Sequence, residues 1–259
     1  MDWNRLNELQ TLVHEGRFEE AKTELTSLAD IEKDAPTKAA ILLTILQGLS
    51  IQKRYSAARS KLGQACAVVS STDEIYPRLL LAKAVIDIDQ KHWKAALKKL
   101  NHILETQSTL LKSEDNVEVF QEVQRNRGIV LFELGRDADA LPLLESVRST
   151  DYQRERTLYS IAAANIKLSN LDVAIAAFQE LLALNPSSVY RSYAHYNIGR
   201  IHYDRRQLAR ARMEFEACWA CPDRGNLRDK HILQALLYTC QALNLEEDAS
   251  RYTEMLRKI

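Results

Sequence analysis

The chain has 259 residues, of which 46% are hydrophobic and 27% are charged, and its 35 basic side chains balance its 35 acidic ones. Such a composition is typical of a soluble folded protein and excludes an intrinsically disordered chain. Only 7 glycines and 5 prolines leave few of the tight turns that an all-β protein needs. The balanced charge also argues against a nucleic-acid partner, because phosphate binding draws on a basic excess. One alternative stays open, a local basic patch formed by Arg200, Arg205, Arg206, Arg210 and Arg212.

The N-terminal residues lack the basic segment and apolar core of a signal peptide, since they begin Met1, Asp2, Trp3. The longest apolar stretch, Ala39 to Ile51, is shorter than the roughly 20 residues that span a bilayer. We therefore expect it to be a buried helix, and we expect a cytoplasmic protein with no membrane partner.

In chain order, the sequence predicts fourteen helices in seven antiparallel pairs. The first helices of the pairs are predicted at 3–14, 37–51, 76–89, 117–133, 153–167, 188–204 and 228–243. The second helices are predicted at 17–29, 54–69, 92–106, 138–148, 171–184, 207–220 and 246–258.

These pairs are predicted from a motif that recurs along the chain. An alanine stands in every second helix, at Ala21, Ala58, Ala96, Ala140, Ala174, Ala211 and Ala249. In five of the first six copies a large apolar residue lies three positions before the alanine, and in all six a leucine or phenylalanine lies four positions after it. These spacings place the three residues on one stripe of a helix. We expect the alanine to lie where two helices cross closely, and the copies to stack because one hairpin cannot bury both of its faces.

The motif resembles the tetratricopeptide repeat, whose unit is a helix–turn–helix of about 34 residues. The fifth and sixth copies are the most similar, with Gly199, Ala211 and Phe215 in the sixth, and with Pro186 and Pro222 placed to end the second helices. The resemblance implies an all-α fold, a right-handed α-solenoid or superhelix of antiparallel helix pairs.

Some copies depart from the repeat pattern. Lys83 and Asp87 replace bulky core residues in the third copy, and Arg127 replaces an apolar residue in the fourth. Pro142 lies early in a second helix, which we therefore expect to start late or to bend. The seventh copy lacks the aromatic residues, so we expect it to be a capping hairpin with a polar outer face.

The alanines at positions 96 and 140 are 44 residues apart, against 34 to 38 elsewhere. The extra residues fall at 107–116, a polar segment that is either a linker or a helix extension. It would separate repeats 1–3 (residues 1–106) from repeats 4–7 (residues 117–259). We favour one continuous solenoid, because Leu110 and Leu111 can pack against the neighbouring helices.

The resemblance also implies a binding site, because the first helices of such repeats line a concave face. Asn126 and Asn197 each lie two residues before a glycine, where related peptide-binding proteins use an asparagine to bond the ligand backbone. Arg156 occupies a position at which relatives often carry a carboxylate-binding cation. The predicted partner-binding residues are Asn126, Arg156, Tyr193, Tyr196, Asn197 and Arg200. They suggest a groove for a peptide with an acidic group, unless the asparagines have a purely structural role.

The sequence offers no pattern for catalysis, a metal or a cofactor. Cys218 and Cys221 form a C-x-x-C pair without the second pair or the histidines of a zinc site, and we expect all four cysteines, with Cys66 and Cys240, to be small packing residues. We predict a non-catalytic scaffold or adaptor that binds another protein. One alternative is a structural subunit that assembles through an end hairpin, with Trp3 and Trp219 exposed, and another is a regulatory module whose effector lies on another chain.

Overall fold

The computed structural model describes residues 3–150, 153–185, 188–224 and 227–259. Within these ranges the chain forms fourteen α-helices and no strand, which confirms the predicted all-α class of paired helices. The first helices of the pairs are α1 (Trp3–His14), α3 (Ala35–Ile51), α5 (Tyr76–Asp89), α7 (Val117–Glu133), α9 (Arg154–Lys167), α11 (Arg191–Asp204) and α13 (Asp229–Ala242). The second helices are α2 (Phe18–Ile31), α4 (Tyr55–Val68), α6 (Trp93–Thr106), α8 (Asp137–Ser146), α10 (Leu171–Leu184), α12 (Leu208–Ala220) and α14 (Glu246–Arg257).

The helices group into two compact units, which divide between Gly135 and Arg136. The first unit holds α1 to α7 and the second holds α8 to α14. Inside the first unit, the segment 107–116 forms two short 3-10 turns, Leu110–Lys112 and Glu114–Asn116. Leu111 is buried in a hydrophobic cluster with residues of α5, α6 and α7. This packing supports our proposal that the inserted residues do not interrupt the stack of helices within the first unit.

The turn inside each helix pair has the same backbone geometry. The residue five positions before the repeat alanine has a positive φ, between 56° and 80°, in every pair: Gly16, Lys53, Lys91, Gly135, Ser169, Arg206 and Asn244. Next to Lys53, the N–H of Arg54 donates to the carbonyl of Leu49 at 2.8 Å, and the same five-residue bond recurs in most of the other pairs. A left-handed residue followed by this bond ends the first helix and turns the chain into the second.

The repeat alanines are buried, as expected for residues at close contacts between helices. The first six are completely buried, and Ala249 in the last pair is partly buried. Gly199 of α11 lies against Phe215 of α12, and a Cβ atom at Gly199 would be 2.7 Å from the phenyl ring. Gly48 of α3 faces the ring of Phe18 in the same way. Small residues at these two contacts allow an aromatic ring to fill the space between helices.

Asp87 of α5 is a departure from the repeat pattern that the structure explains. Its side chain is 3% exposed. The carboxylate accepts a hydrogen bond from Nη2 of Arg59 at 3.0 Å and forms an ion pair with Lys99. Burial alone would raise the pKa of this carboxyl group, but the two cations outweigh burial and lower the pKa. The carboxylate therefore joins α4, α5 and α6. Lys83 is exposed, so the expectation that it replaces a core residue is wrong.

Of the two expectations for Pro142, the late start of its helix is wrong, and the bend stays a prediction. Helix α8 begins at Asp137, three residues before the repeat alanine, as in the other pairs. It is only 10 residues long and runs through Pro142 to Ser146. Pro142 is the sixth residue of α8, so it lacks the N–H that would donate to the carbonyl of Ala138, and the helix continues for four residues beyond it.

The ends of the other helices follow the sequence. Helix α12 ends at Ala220, before Pro222, and α10 ends at Leu184. Pro186, which was expected to end α10, lies outside the described residues. Helix α3 has nine buried residues, so the apolar stretch from Ala39 to Ile51 is a buried helix as predicted.

Candidate protein-binding face of the second unit

Helices α11 and α13 enclose a cleft of about 240 Å³ in the second unit. Tyr196, Arg200 and Tyr203 line it from α11, at spacings that place them on one face of the helix. His231 and Tyr238 line it from α13. The cleft therefore has aromatic walls, one positive charge at Arg200 and one negative charge at Asp204.

Phe215 of α12 forms the floor of the cleft. Its ring packs beneath Gly199, and its centroid is 5.8 Å from that of Tyr196, with 53° between the ring planes. Because the glycine admits the ring, the two aromatic side chains hold each other in place. Tyr238 stands at the rim, where it is 54% exposed.

Arg200 is exposed and makes no hydrogen bond or ion pair with another residue in the described ranges. Arg206 and Arg210 are also exposed and make no such contact there, whereas Arg205 pairs with Asp172 at 2.6 Å and Arg212 pairs with Glu216 at 2.8 Å. Pairing with carboxylates removes Arg205 and Arg212 from the local basic patch that the sequence left open. The guanidinium of Arg200 remains available to an external group.

The two predicted asparagines use their amide donors within their own helices. Nδ2 of Asn197 donates to the carbonyl of Tyr193 at 2.8 Å, and Nδ2 of Asn126 donates to that of Glu122 at 2.9 Å. Asn197 is half-buried, whereas Asn126 is 6% exposed and belongs to the first unit. The bonds match the structural role that the sequence left open as an alternative. They leave the side-chain carbonyl and the second amide N–H of Asn197 for an external ligand.

Arg156 lines a second cleft, which it shares with Glu155, Asn185 and Tyr190. Tyr159, one turn after Arg156, contacts Tyr190 and Tyr193 with ring centroids 5.1 and 6.0 Å away. Tyr193 is thus held against α9, at the other end of α11 from Arg200.

The predicted residues of the second unit therefore fall into three places. Tyr196 and Arg200 share the first cleft, Arg156 lines the second, and Tyr193 and Asn197 lie on α11 between them. Sequence reasoning missed Tyr203, His231 and Tyr238. The seven-residue spacing from Tyr196 would have indicated Tyr203. The two residues of α13 could not be found in this way, because no pattern in the sequence pairs α13 with α11.

The cysteines are packing residues. Cys218, Cys221 and Cys240 are buried, and burial raises the pKa of Cys218 to about 12. At neutral pH this thiol stays protonated, which makes it a poor nucleophile and a poor metal ligand.

Two kinds of feature are missing from the part of the chain that the structure describes. It holds no cluster of three or more histidine, cysteine or acidic side chains arranged to bind a metal ion. None of its helices combines the length and the apolar character needed to cross a bilayer.

Residues 156–188, which include most of α9 and all of α10, match the model of the tetratricopeptide repeat family. The match covers one repeat, and together with the helix pairs it shows a helical-repeat fold of the tetratricopeptide type, as the resemblance predicted. No curated protein matches the sequence at a significant level.

Solved structures of this class have the same fold. PilF of Pseudomonas aeruginosa has a TM-score of 0.67 and 17% identity, with 87% of this chain and 93% of PilF covered. The apo form of the quorum sensor NprR from B. thuringiensis has a TM-score of 0.72 and 15% identity, with 97% and 74% covered. PilW, a type IV pilus biogenesis factor, has a TM-score of 0.63 and 17% identity, with 85% and 92% covered. At these identities the likeness shows the fold alone.

Proposed function

We propose that this chain is a non-catalytic adaptor or scaffold that holds a segment of a partner protein on the first helices of its repeats. The observation that carries the proposal is the cleft between α11 and α13, where aromatic walls surround an arginine without an internal partner. Repeat proteins of this kind use extended surfaces of stacked helices to bind other proteins. A peptide on this face meets apolar, hydrogen-bonding and positively charged groups in turn.

The proposed contact residues are those that the sequence indicated, with Asn126 in the first unit and Arg156, Tyr193, Tyr196, Asn197 and Arg200 in the second. The partner is a protein rather than a nucleic acid, since the chain has no net charge. No cofactor takes part. We place the protein in the cytoplasm, a location that its four free thiols support.

A pull-down from the source lysate tests the proposal. The bait is the full chain, compared with an Arg156→Ala/Arg200→Ala variant. Arg210→Ala is the matched control, because Arg210 is also exposed but lies on α12, outside the cleft. We expect a partner to be retained by the parent and the control and lost from the double variant, because truncating a charged contact in an interface weakens binding strongly. A partner held equally by all three chains would exclude this face as the binding site.

The structure gives less support to assembly through an end hairpin. The outer faces of α1 and α14 are polar, with Arg5, Glu8, Glu247 and Glu254 exposed. Trp3 is 56% exposed, as that alternative requires. Trp219 is half-buried beneath the guanidinium of Arg224, 4.4 Å from the ring centroid, so its predicted exposure is wrong. The end hairpins also expose Ile31 and Ile259, at 72% and 67%. These are single side chains at or beyond the ends of helices whose other exposed residues are mostly polar, which gives little area for an apolar interface.

A further inference from the structure

The cleft between α11 and α13 restricts which segment can bind, and this inference rests on the function proposed above. We infer that the cleft anchors one large apolar side chain of an internal partner segment, next to an acidic side chain of the same segment that pairs with Arg200.

The size and lining of the cleft point to a single side chain. Its volume of about 240 Å³ is below the roughly 300–1,000 Å³ of pockets that enclose a whole small molecule. The floor is the ring of Phe215, and the walls are the rings of Tyr196, Tyr203 and Tyr238. An aromatic or large aliphatic side chain fills such a space and leaves the tyrosine hydroxyls at the rim in water.

The charges along α11 determine what stands beside the anchor. Arg200 has no ion-pair partner among the described residues, so a carboxylate on the segment would complete a charge-assisted hydrogen bond. Asp204, one turn further along the cleft, repels a second acidic group there. The cleft thus favours one acidic residue at Arg200 and a neutral or basic residue at Asp204.

The position of Arg200 distinguishes an internal segment from a chain end. Within the cleft, Tyr196 lies on one side of it along α11, and Tyr203 and Asp204 lie on the other. A segment that contacts all of these residues passes over Arg200 instead of stopping there. It therefore meets the guanidinium with a side-chain carboxylate and not with its C-terminal carboxylate.

Selection from a library of random dodecapeptides displayed on phage tests the inference, with the full chain as bait. We expect the selected peptides to share an acidic residue beside a large apolar one. Against an Arg200→Glu variant we expect the acidic preference to change to a basic one, since the charge facing the segment is reversed. Arg210→Glu, the same charge change on α12, is expected to leave the selected pattern unchanged.

Synthetic peptides from the selection give the second measurement. We expect Tyr238→Ala to weaken their binding about tenfold and Tyr238→Phe to leave it nearly unchanged, because the ring and not the hydroxyl holds the anchor. Tyr238 is exposed, so both variants keep the fold, which circular dichroism verifies. A peptide with a C-terminal amide is expected to bind as tightly as the free acid. Binding that requires the free acid would overturn the internal-segment assignment.

Other results separate this inference from the proposed function. Selected peptides whose binding is weakened by substitution of Arg156 but not of Arg200 or Tyr238 would overturn the assignment of the cleft. The proposed binding face on the first helices would still be supported. If neither the library nor the lysate yields a ligand sensitive to any substitution on α9, α11 or α13, both proposals fail.

Discussion

At the scale of single residues, the chain places charged groups in two different ways. Asp87 is enclosed and paired on two sides, so its charge contributes to the stability of the first unit. Arg200 is open and unpaired among the described residues, so its charge is available for binding. The difference lies in the neighbours that the fold supplies. Neither residue's role follows from its type.

We expect Asp87→Asn to lower the free energy of unfolding by about 2 kcal/mol, because it leaves Arg59 and Lys99 facing a neutral amide. The value is below the roughly 3–5 kcal/mol of a fully buried pair, since both cations are partly in water. Urea unfolding at neutral pH measures the change. Asp172→Asn is the control: Asp172 also pairs with an arginine, but its side chain is 86% exposed, so a much smaller loss of stability is expected than for Asp87→Asn.

Comparing the parent with Asp87→Asn also tests how the stability of the chain depends on pH. The folded-state pKa of Asp87 is lowered from its ordinary value of 3.8, so its contribution to stability is complete well above that pH and is lost as the pH falls through the folded-state pKa. The stability difference between the parent and Asp87→Asn is therefore expected to shrink below about pH 4. A difference that stays constant down to pH 2 would contradict the ion-pair explanation.

At the scale of helices and turns, the helix pair repeats more strictly than its sequence does. All seven turns contain one left-handed residue, yet only Gly16 and Gly135 among them are glycine. A side chain in this conformation costs about 1–2 kcal/mol relative to the right-handed one. Packing around the repeat alanines and the adjacent helix contacts offset that cost.

The glycines provide a test in which the same substitution has opposite effects. We expect Gly16→Ala to destabilise the chain by about 1 kcal/mol, because its φ of 80° is strained for alanine. We expect Gly63→Ala to stabilise it by about 0.5–1 kcal/mol, because Gly63 lies inside α4 with open space around it. Thermal and urea unfolding of both variants measure the signs. Two changes of the same sign would contradict the assignment of the turn.

The positions of most helices could be predicted from the sequence, because the spacing of the repeat alanines fixes where each second helix begins. The first helix of the fourth pair, 117–133, and the second helix of the fifth, 171–184, agree with the prediction at both ends. The left-handed turns at Lys53, Lys91 and Arg206 could not be predicted, since no residue type marks them. The cleft could not be predicted either, because Arg200 and Tyr238 belong to different helix pairs. They come together through packing between the pairs, which no local sequence pattern indicates.

At the scale of the whole molecule, each unit contains hydrophobic clusters of its own. Two clusters lie in the first unit, built from residues between Leu6 and Val130, and another lies in the second, built around Phe215 and Ile232. Repeat proteins derive their stability from each repeat and its nearest neighbours. Destabilisation in one unit is therefore expected to remain local.

Amide hydrogen exchange tests this locality. We expect Asp87→Asn to accelerate exchange in helices α4 to α6 and to leave the protection of α11 to α13 within error of the parent, because the substitution breaks contacts of the first unit only. Gly199→Ala, which forces a Cβ against Phe215, is the reciprocal variant for the second unit. Equal loss of protection along the whole chain in either variant would show that the units unfold together.

The left-handed turns have a practical consequence. Ser169 is exposed, lies in a turn that the neighbouring helices already impose, and takes no part in either cleft. A cysteine placed there can carry a fluorophore beside α9 and α10 without altering the helix faces. The five turn positions that already carry a side chain, Lys53, Lys91, Ser169, Arg206 and Asn244, thus form a series of attachment points from which ligand binding and unfolding can be followed separately along the chain.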